Sequence, residues 1–192
     1  MMHHLKAQKK IFSGRPRKFP VSPLELFKSL PEGARAQLID DVIVMEPAPT
    51  YAHQDALGTI FLSMANFVQA RHLGKILFAP FDVYLDSKNV FQPDIFFVFA
   101  EHQHLISTSG LYGAPDLVVE ALSPSTCQYD RGNKKNAYEK AGVREYWTIN
   151  PDTSEVRGYR LVNGIFEALP SAHGLICSPL MGGEFRWIFR QC

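Results

Sequence analysis

Asp94 and Glu120 are carboxylates placed in runs that otherwise belong inside a protein. Asp94 follows Gln92-Pro93 and opens Ile95-Phe96-Phe97-Val98-Phe99, and Glu120 sits within Pro115-Asp116-Leu117-Val118-Val119-Glu120-Ala121-Leu122. Runs this dense in β-branched and aromatic residues, begun by proline and bounded by turn residues, predict strands buried on both faces. A charge on such a strand is unfavourable to bury unless something pairs with it. The readiest partner for two converging carboxylates is a hard divalent cation held by oxygen ligands. A third group follows. Ser123-Pro124-Ser125-Thr126 reads as a loop into a helix from about Asp130 to Ala141. On that helix Lys134, Tyr138 and Ala141 share one face. Two acids and a lysine are sufficient for metal-assisted hydrolysis of a phosphate ester.

The remaining elements must bring these groups together. Ser22-Pro23 starts a short helix, and Gln37 to Met45 reads as a hairpin turning at Asp40-Asp41. Thr50 caps a helix from Tyr51 to about Arg71, with Leu57, Ile60, Phe61, Met64, Phe67 and Val68 as its apolar stripe. Ile76 to Leu85 and Val90 to Phe99 are expected to pair as a second hairpin around Asp86-Ser87-Lys88-Asn89. Gly142 ends the Lys134 helix, and Arg144 to Ile149 forms the next strand. Asn163-Gly164 marks a further hairpin, and the tail through Ile176 and Phe185-Arg186-Trp187-Ile188 adds a last edge strand. No internal repeat, phosphate-binding glycine loop, Gly-x-Ser-x-Gly elbow or zinc cluster is present in the sequence.

Several other polar residues admit both a chemical and a plain structural reading. His53 lies in the first turn of the Thr50-capped helix, as a bonded helix-start histidine or as a ligand or phosphate contact at the mouth of the site. Asp82 is a solvated strand residue or an acid supporting the site. Asp116 begins its strand and ranks below Asp94 and Glu120, as a turn or cap carboxylate. His102 and His104 have metal-ligand spacing, yet a flexible polar loop from Ala100 to Ala114 accounts for them better. Cys127 falls near the site and reads as packing rather than as a nucleophile.

The 192 residues suit one domain, expected over residues 22–192, and 46% hydrophobic with 20% charged residues excludes global disorder. No apolar run approaches the roughly 20 residues of a membrane span, and the start of the chain has no signal-peptide core. Three scattered cysteines form neither a disulfide framework nor a zinc spacing, which fits a reducing cytoplasm. The net charge is +1, but residues 1–18 carry six basic groups and no acid, leaving 14 basic against 19 acidic residues elsewhere. Residues 1–21 therefore read as a flexible basic arm, and the body is not a broadly cationic nucleic-acid binder.

Taken in order, Gln-Pro-Asp-Ile-Phe-Phe-Val at 92–98, Ala-Pro-Asp-Leu-Val-Val-Glu-Ala-Leu-Ser-Pro-Ser-Thr at 114–126, Asp130-Arg131 with Lys134 and Tyr138, and Ala-Gly-Val-Arg-Glu-Tyr-Trp at 141–147 strongly resemble one family. It is the Uma-type family of restriction-endonuclease-like bacterial proteins, placed in the PD-(D/E)xK nuclease superfamily. The likeness runs from about Leu38 to the C-terminal strands. It implies an α/β (α+β) fold: a restriction-endonuclease-like core with a mixed β-sheet flanked by helices and additional hairpins. It also implies a metal-dependent endonuclease acting on nucleic acid, DNA in the first place, with Mg²⁺ or Mn²⁺ held by Asp94, Glu120 and a strand carbonyl near Ala121.

Two departures from the pattern stand out. Leu122 occupies the position of the usual lysine, so the resemblance moves that role to Lys134 on the following helix, with Lys135 as second choice about 100° away. Gln37 stands where family members often carry glutamate, a weaker ligand unless Glu46 or His53 contributes. The rival expectation is a catalytically silent nucleic-acid-binding or regulatory module on a nuclease fold. A third is a structural cluster in which Lys134 neutralises Glu120 without metal. A homodimer would suit cleavage of both strands of a duplex.

Overall fold

Helix α1 (Pro23–Lys28) starts at a capping box, in which Ser22 Oγ accepts from the Glu25 N–H and the Glu25 carboxylate accepts from the Ser22 N–H. The computed structural model describes residues 21–122, 132–170, 174–182 and 185–188, so the expected basic arm lies outside the described residues. Strands β1 (Ala36–Ile39) and β2 (Val42–Met45) pair around Asp40 and Asp41, whose φ angles of 48° and 66° suit a type I′ turn. Helix α2 (Tyr51–Ala70) is capped by Thr50 Oγ1, which accepts from the His53 N–H, and it buries Ile60, Met64 and Val68.

The expected second hairpin is corrected by the structure. Strand β3 (Gly74–Phe78) pairs with β6 (Ile95–Phe99) in one sheet, whereas β4 (Val83–Tyr84) pairs with β5 (Val90–Phe91) in another. Pro80 and Pro93 interrupt the two arms. A residue without an N–H cannot carry the ladder onward, and the chain changes sheet at both points. The segment after β6 is also more ordered in form than a flexible loop. It makes a 3₁₀ helix (Ala100–Leu105) and a hairpin of β7 (Ile106–Ser107) and β8 (Gly110–Tyr112), anchored by parallel pairing of β8 with β4.

Strand β9 (Leu117–Ala121), helix α3 (Asn133–Ala141) and strand β10 (Glu145–Ile149) follow, and β10 lies parallel to β9. A parallel pair requires such a crossover. β11 (Val156–Val162) and β12 (Ile165–Ala168) form the Asn163-Gly164 hairpin, and Gly158 is required there because a Cβ would lie 2.4 Å from the Trp147 ring. The tail does not add an edge strand to the main sheet. Among the described residues β13 (Leu175–Cys177) and β14 (Arg186–Ile188) pair with each other, and Ile176, Phe185 and Trp187 are buried together with Ile60, Met64 and Val68.

The result is an α+β arrangement with mixed sheets in the orders β12-β11-β10-β9-β6-β3 and β2-β1-β5-β4-β8-β7. Strand alternation divides the core. Ile95, Phe97, Leu117 and Val119 face α2, while Phe96, Val98 and Val118 face α3 and the second sheet. The antiparallel register Ile95↔Val119 and Phe97↔Leu117, continued one step, sets Asp94 opposite Glu120 at one end of the neighbouring strands β6 and β9. No helix among the described residues is long and apolar enough to cross a membrane.

Candidate active site

Asp94 and Glu120 are each tied to the backbone of the other's segment. Asp94 Oδ2 accepts from the Ala121 N–H at 2.8 Å, and Glu120 Oε2 accepts from the Asp94 N–H at 3.3 Å. Lys134 Nζ stands 2.6 Å from Glu120 Oε1, which also accepts from the Tyr138 hydroxyl at 2.8 Å. The shared helix face therefore delivers both groups to one oxygen. The Lys134 and Glu120 side chains are 3% and 4% exposed, against 18% for Asp94. The lysine thus approaches from α3, and Leu122 at the end of the strand occupies the wall where the usual lysine would stand.

These groups open on a cleft of about 490 Å³. Four of the described carboxylates on its wall, Glu46, Asp94, Glu120 and Asp152, face Arg35 and Lys134. An acid-rich cleft repels a phosphate diester unless a cation intervenes. All-oxygen donors suit Mg²⁺ or Mn²⁺. Among the described residues no three His, Cys, Asp or Glu side chains converge into a complete metal cage. Mg²⁺ needs no such cage, since it usually takes one or two carboxylates and keeps several waters. The residues present fit such an ion.

The other expected residues divide into three groups. His53 joins the site, its Nε2 lying 3.3 Å from Asp94 Oδ1, where the first turn of α2 meets the end of β6. Gln37 is buried and bridges: its amide donates to Glu46 and its Oε1 accepts from the Gln92 N–H at 3.2 Å. It positions Glu46 on the cleft wall. Asp82 lies further along this chain, accepting from Gln92 Nε2 at 2.9 Å. Asp116 stands at the opposite end of β9, accepting from the Phe99 N–H at 2.8 Å beside His102 and Arg144. Lys135 turns away and lies 4.2 Å from the centroid of the Tyr159 ring. The expectations for Ser123 to Thr126, Cys127, Asp130 and Arg131 fall outside the described residues.

Some groups were not legible as part of the site. Tyr138 shares the face of Lys134, a signal that could have placed it against Glu120. Arg35 and Asp152 reach the cleft from distant segments and leave no local pattern. Glu145, within the Ala-Gly-Val-Arg-Glu-Tyr-Trp motif, instead secures the tail. It is fully buried and accepts from Ser178 Oγ at 2.6 Å, from Trp147 Nε1 at 3.2 Å and from the Leu180 N–H. Burial pushes its carboxyl above the ordinary glutamate value, partly countered by these donors.

Comparison with known proteins gives the fold and the family. A solved structure described as a putative nuclease belonging to DUF820, from Anabaena variabilis ATCC 29413, superposes with a TM-score of 0.72 at 19% identity, over 88% of this chain and 95% of that one. At that identity the likeness shows the fold alone. No curated protein matches the sequence. The family model Uma2, described as "Putative restriction endonuclease", matches residues 24–183, and the chain belongs to that family.

Proposed function

We propose that the chain is a metal-dependent endonuclease that hydrolyses phosphodiester bonds, with DNA as first substrate and Mg²⁺ or Mn²⁺ as cofactor. One observation carries the reading: Asp94 and Glu120, brought together by adjacent strands, open on one cleft with Lys134 Nζ 2.6 Å from Glu120 Oε1. Asp94 and Glu120 would hold the cation, with the Ala121 carbonyl as a further oxygen beside them. The bound ion supplies Lewis-acid polarisation of the phosphoryl oxygen and a lowered pKa for water. Lys134 is held where it can orient the attacking water or offset charge developing on the phosphate. Tyr138 fixes the Glu120 carboxylate, and His53 orients Asp94. The expected products carry a 5′-phosphate and a 3′-hydroxyl, and cleavage of both strands would call for a second copy of the chain.

The silent-module reading draws on Leu122 in place of the usual lysine and on the protein partners that both acids already have. Titration with Mn²⁺ followed by a plasmid-nicking assay separates the two. The endonuclease reading expects micromolar to sub-millimolar binding and cleavage, both lost in Asp94→Ala and in Glu120→Ala. Cleavage that survives the double substitution would refute it. Mn²⁺ binding without cleavage of any DNA or RNA would favour the silent module.

A further inference from the structure

A second cleft, of about 220 Å³, adjoins the first and shares Arg35, Glu46, His53, Gln92 and Asp94 with it. Its lining is mixed: Leu57 and Phe61 from α2, Phe78 from the end of β3, and Pro80 make an apolar part beside the polar groups Glu46, Gln54 and Gln92. Phe61 and Phe78 meet edge to face at 4.7 Å, making an aromatic corner, and Phe78 is 57% exposed. Gln54 and Arg35 line it as hydrogen-bonding groups.

Gly58 supplies the independent observation. It lies within α2, where glycine costs about 1 kcal/mol relative to alanine. Packing does not require it: a Cβ built at Gly58 meets no atom within 4 Å. Gly58 lines this second cleft, so a larger side chain at that position would stand on its wall. The space is smaller than the roughly 300–1,000 Å³ of clefts that hold drug-sized ligands, so it suits a single planar ring system. An aromatic corner with an amide and a guanidinium beside it matches the face and edge of a nucleobase.

We propose that this cleft receives one unpaired nucleobase next to the phosphate that a cation at Asp94 would hold, so that the preferred substrate contains single-stranded or unpaired nucleotides. The inference rests on the nucleic-acid reading of the first cleft and narrows its substrate class. A stacked, paired base cannot enter without being extruded, and extrusion is least unfavourable where the base is already unpaired.

The test uses the full chain, Gly58→Ala and Gly58→Leu, with a labelled single-stranded oligonucleotide and the same sequence as a blunt duplex. Anisotropy and Mn²⁺-dependent cleavage are both read. The wild type should bind the single strand at least about tenfold more tightly than the duplex, and Gly58→Leu should lose roughly tenfold on the single strand, a typical effect for one stacked base. Gly58→Ala should stay within a few-fold of wild type, and both variants should melt no lower than wild type, since the helix gains a better former. Equal single-strand binding by wild type and a folded Gly58→Leu would overturn the proposal while leaving cleavage, and the nuclease reading, intact. Discrimination without cleavage would support the base cleft and overturn the nuclease reading. No binding of either oligonucleotide would overturn both.

Discussion

Replacing Lys134 by methionine removes the cation from a pair almost wholly shielded from water, with side chains 3% and 4% exposed and an Nζ to Oε1 separation of 2.6 Å. Breaking a buried pair from one side is destabilising by about 3–5 kcal/mol. Glu120 retains the Tyr138 hydroxyl and the Asp94 N–H, and methionine keeps most of the alkyl packing, so the lower end applies. For a chain of this size, about 3 kcal/mol lowers the melting temperature by roughly 6–12 °C. A divalent cation at Asp94 and Glu120 would replace the lost positive charge. At a hundred times its dissociation constant, a ligand that binds only the folded state restores about 2.7 kcal/mol. Thermal unfolding with and without Mn²⁺ should therefore show a larger metal-induced rise in Lys134→Met than in wild type, while cleavage is lost in the variant. A melting temperature indifferent to Mn²⁺ in both proteins would sink the argument and favour a purely structural acid–lysine cluster.

Three further outcomes test the assignment of the other acids. Asp116→Asn should lose about 1–3 kcal/mol of stability, because the amide presents a donor within a set of donors; its Mn²⁺ affinity, measured by titration, should remain that of wild type. Gln37→Glu replaces the amide donor with a second carboxylate against Glu46. Its stability should fall by about 1–3 kcal/mol in chemical denaturation at neutral pH. Glu145 has a folded pKa above its unfolded value, chiefly through burial, so its contribution is complete below the unfolded pKa and is lost as pH rises through the folded one. Melting curves from pH 4 to 8 should show the advantage of wild type over Glu145→Gln shrinking with rising pH, and a gap that widens would contradict the raised pKa.

The sequence by itself determined the local elements whose signals are local. The Ser22 and Thr50 caps, the Asp40-Asp41 and Asn163-Gly164 turns and the buried strands carrying Asp94 and Glu120 each follow from backbone and burial preferences over a few residues. The face shared by Lys134 and Tyr138 followed from helical spacing alone. Tertiary structure decided which strands paired. Proline at 80 and 93 announces a break, but the new partner of each half depends on which distant sheet edge is free. It also decided that Gln37 supports Glu46, that Asp116 lies at the far end of its strand, and that Lys134 reaches Glu120. Those contacts join residues far apart in sequence, and burial makes them worth forming because a polar group shut away from water must find its partner wherever the fold has placed one.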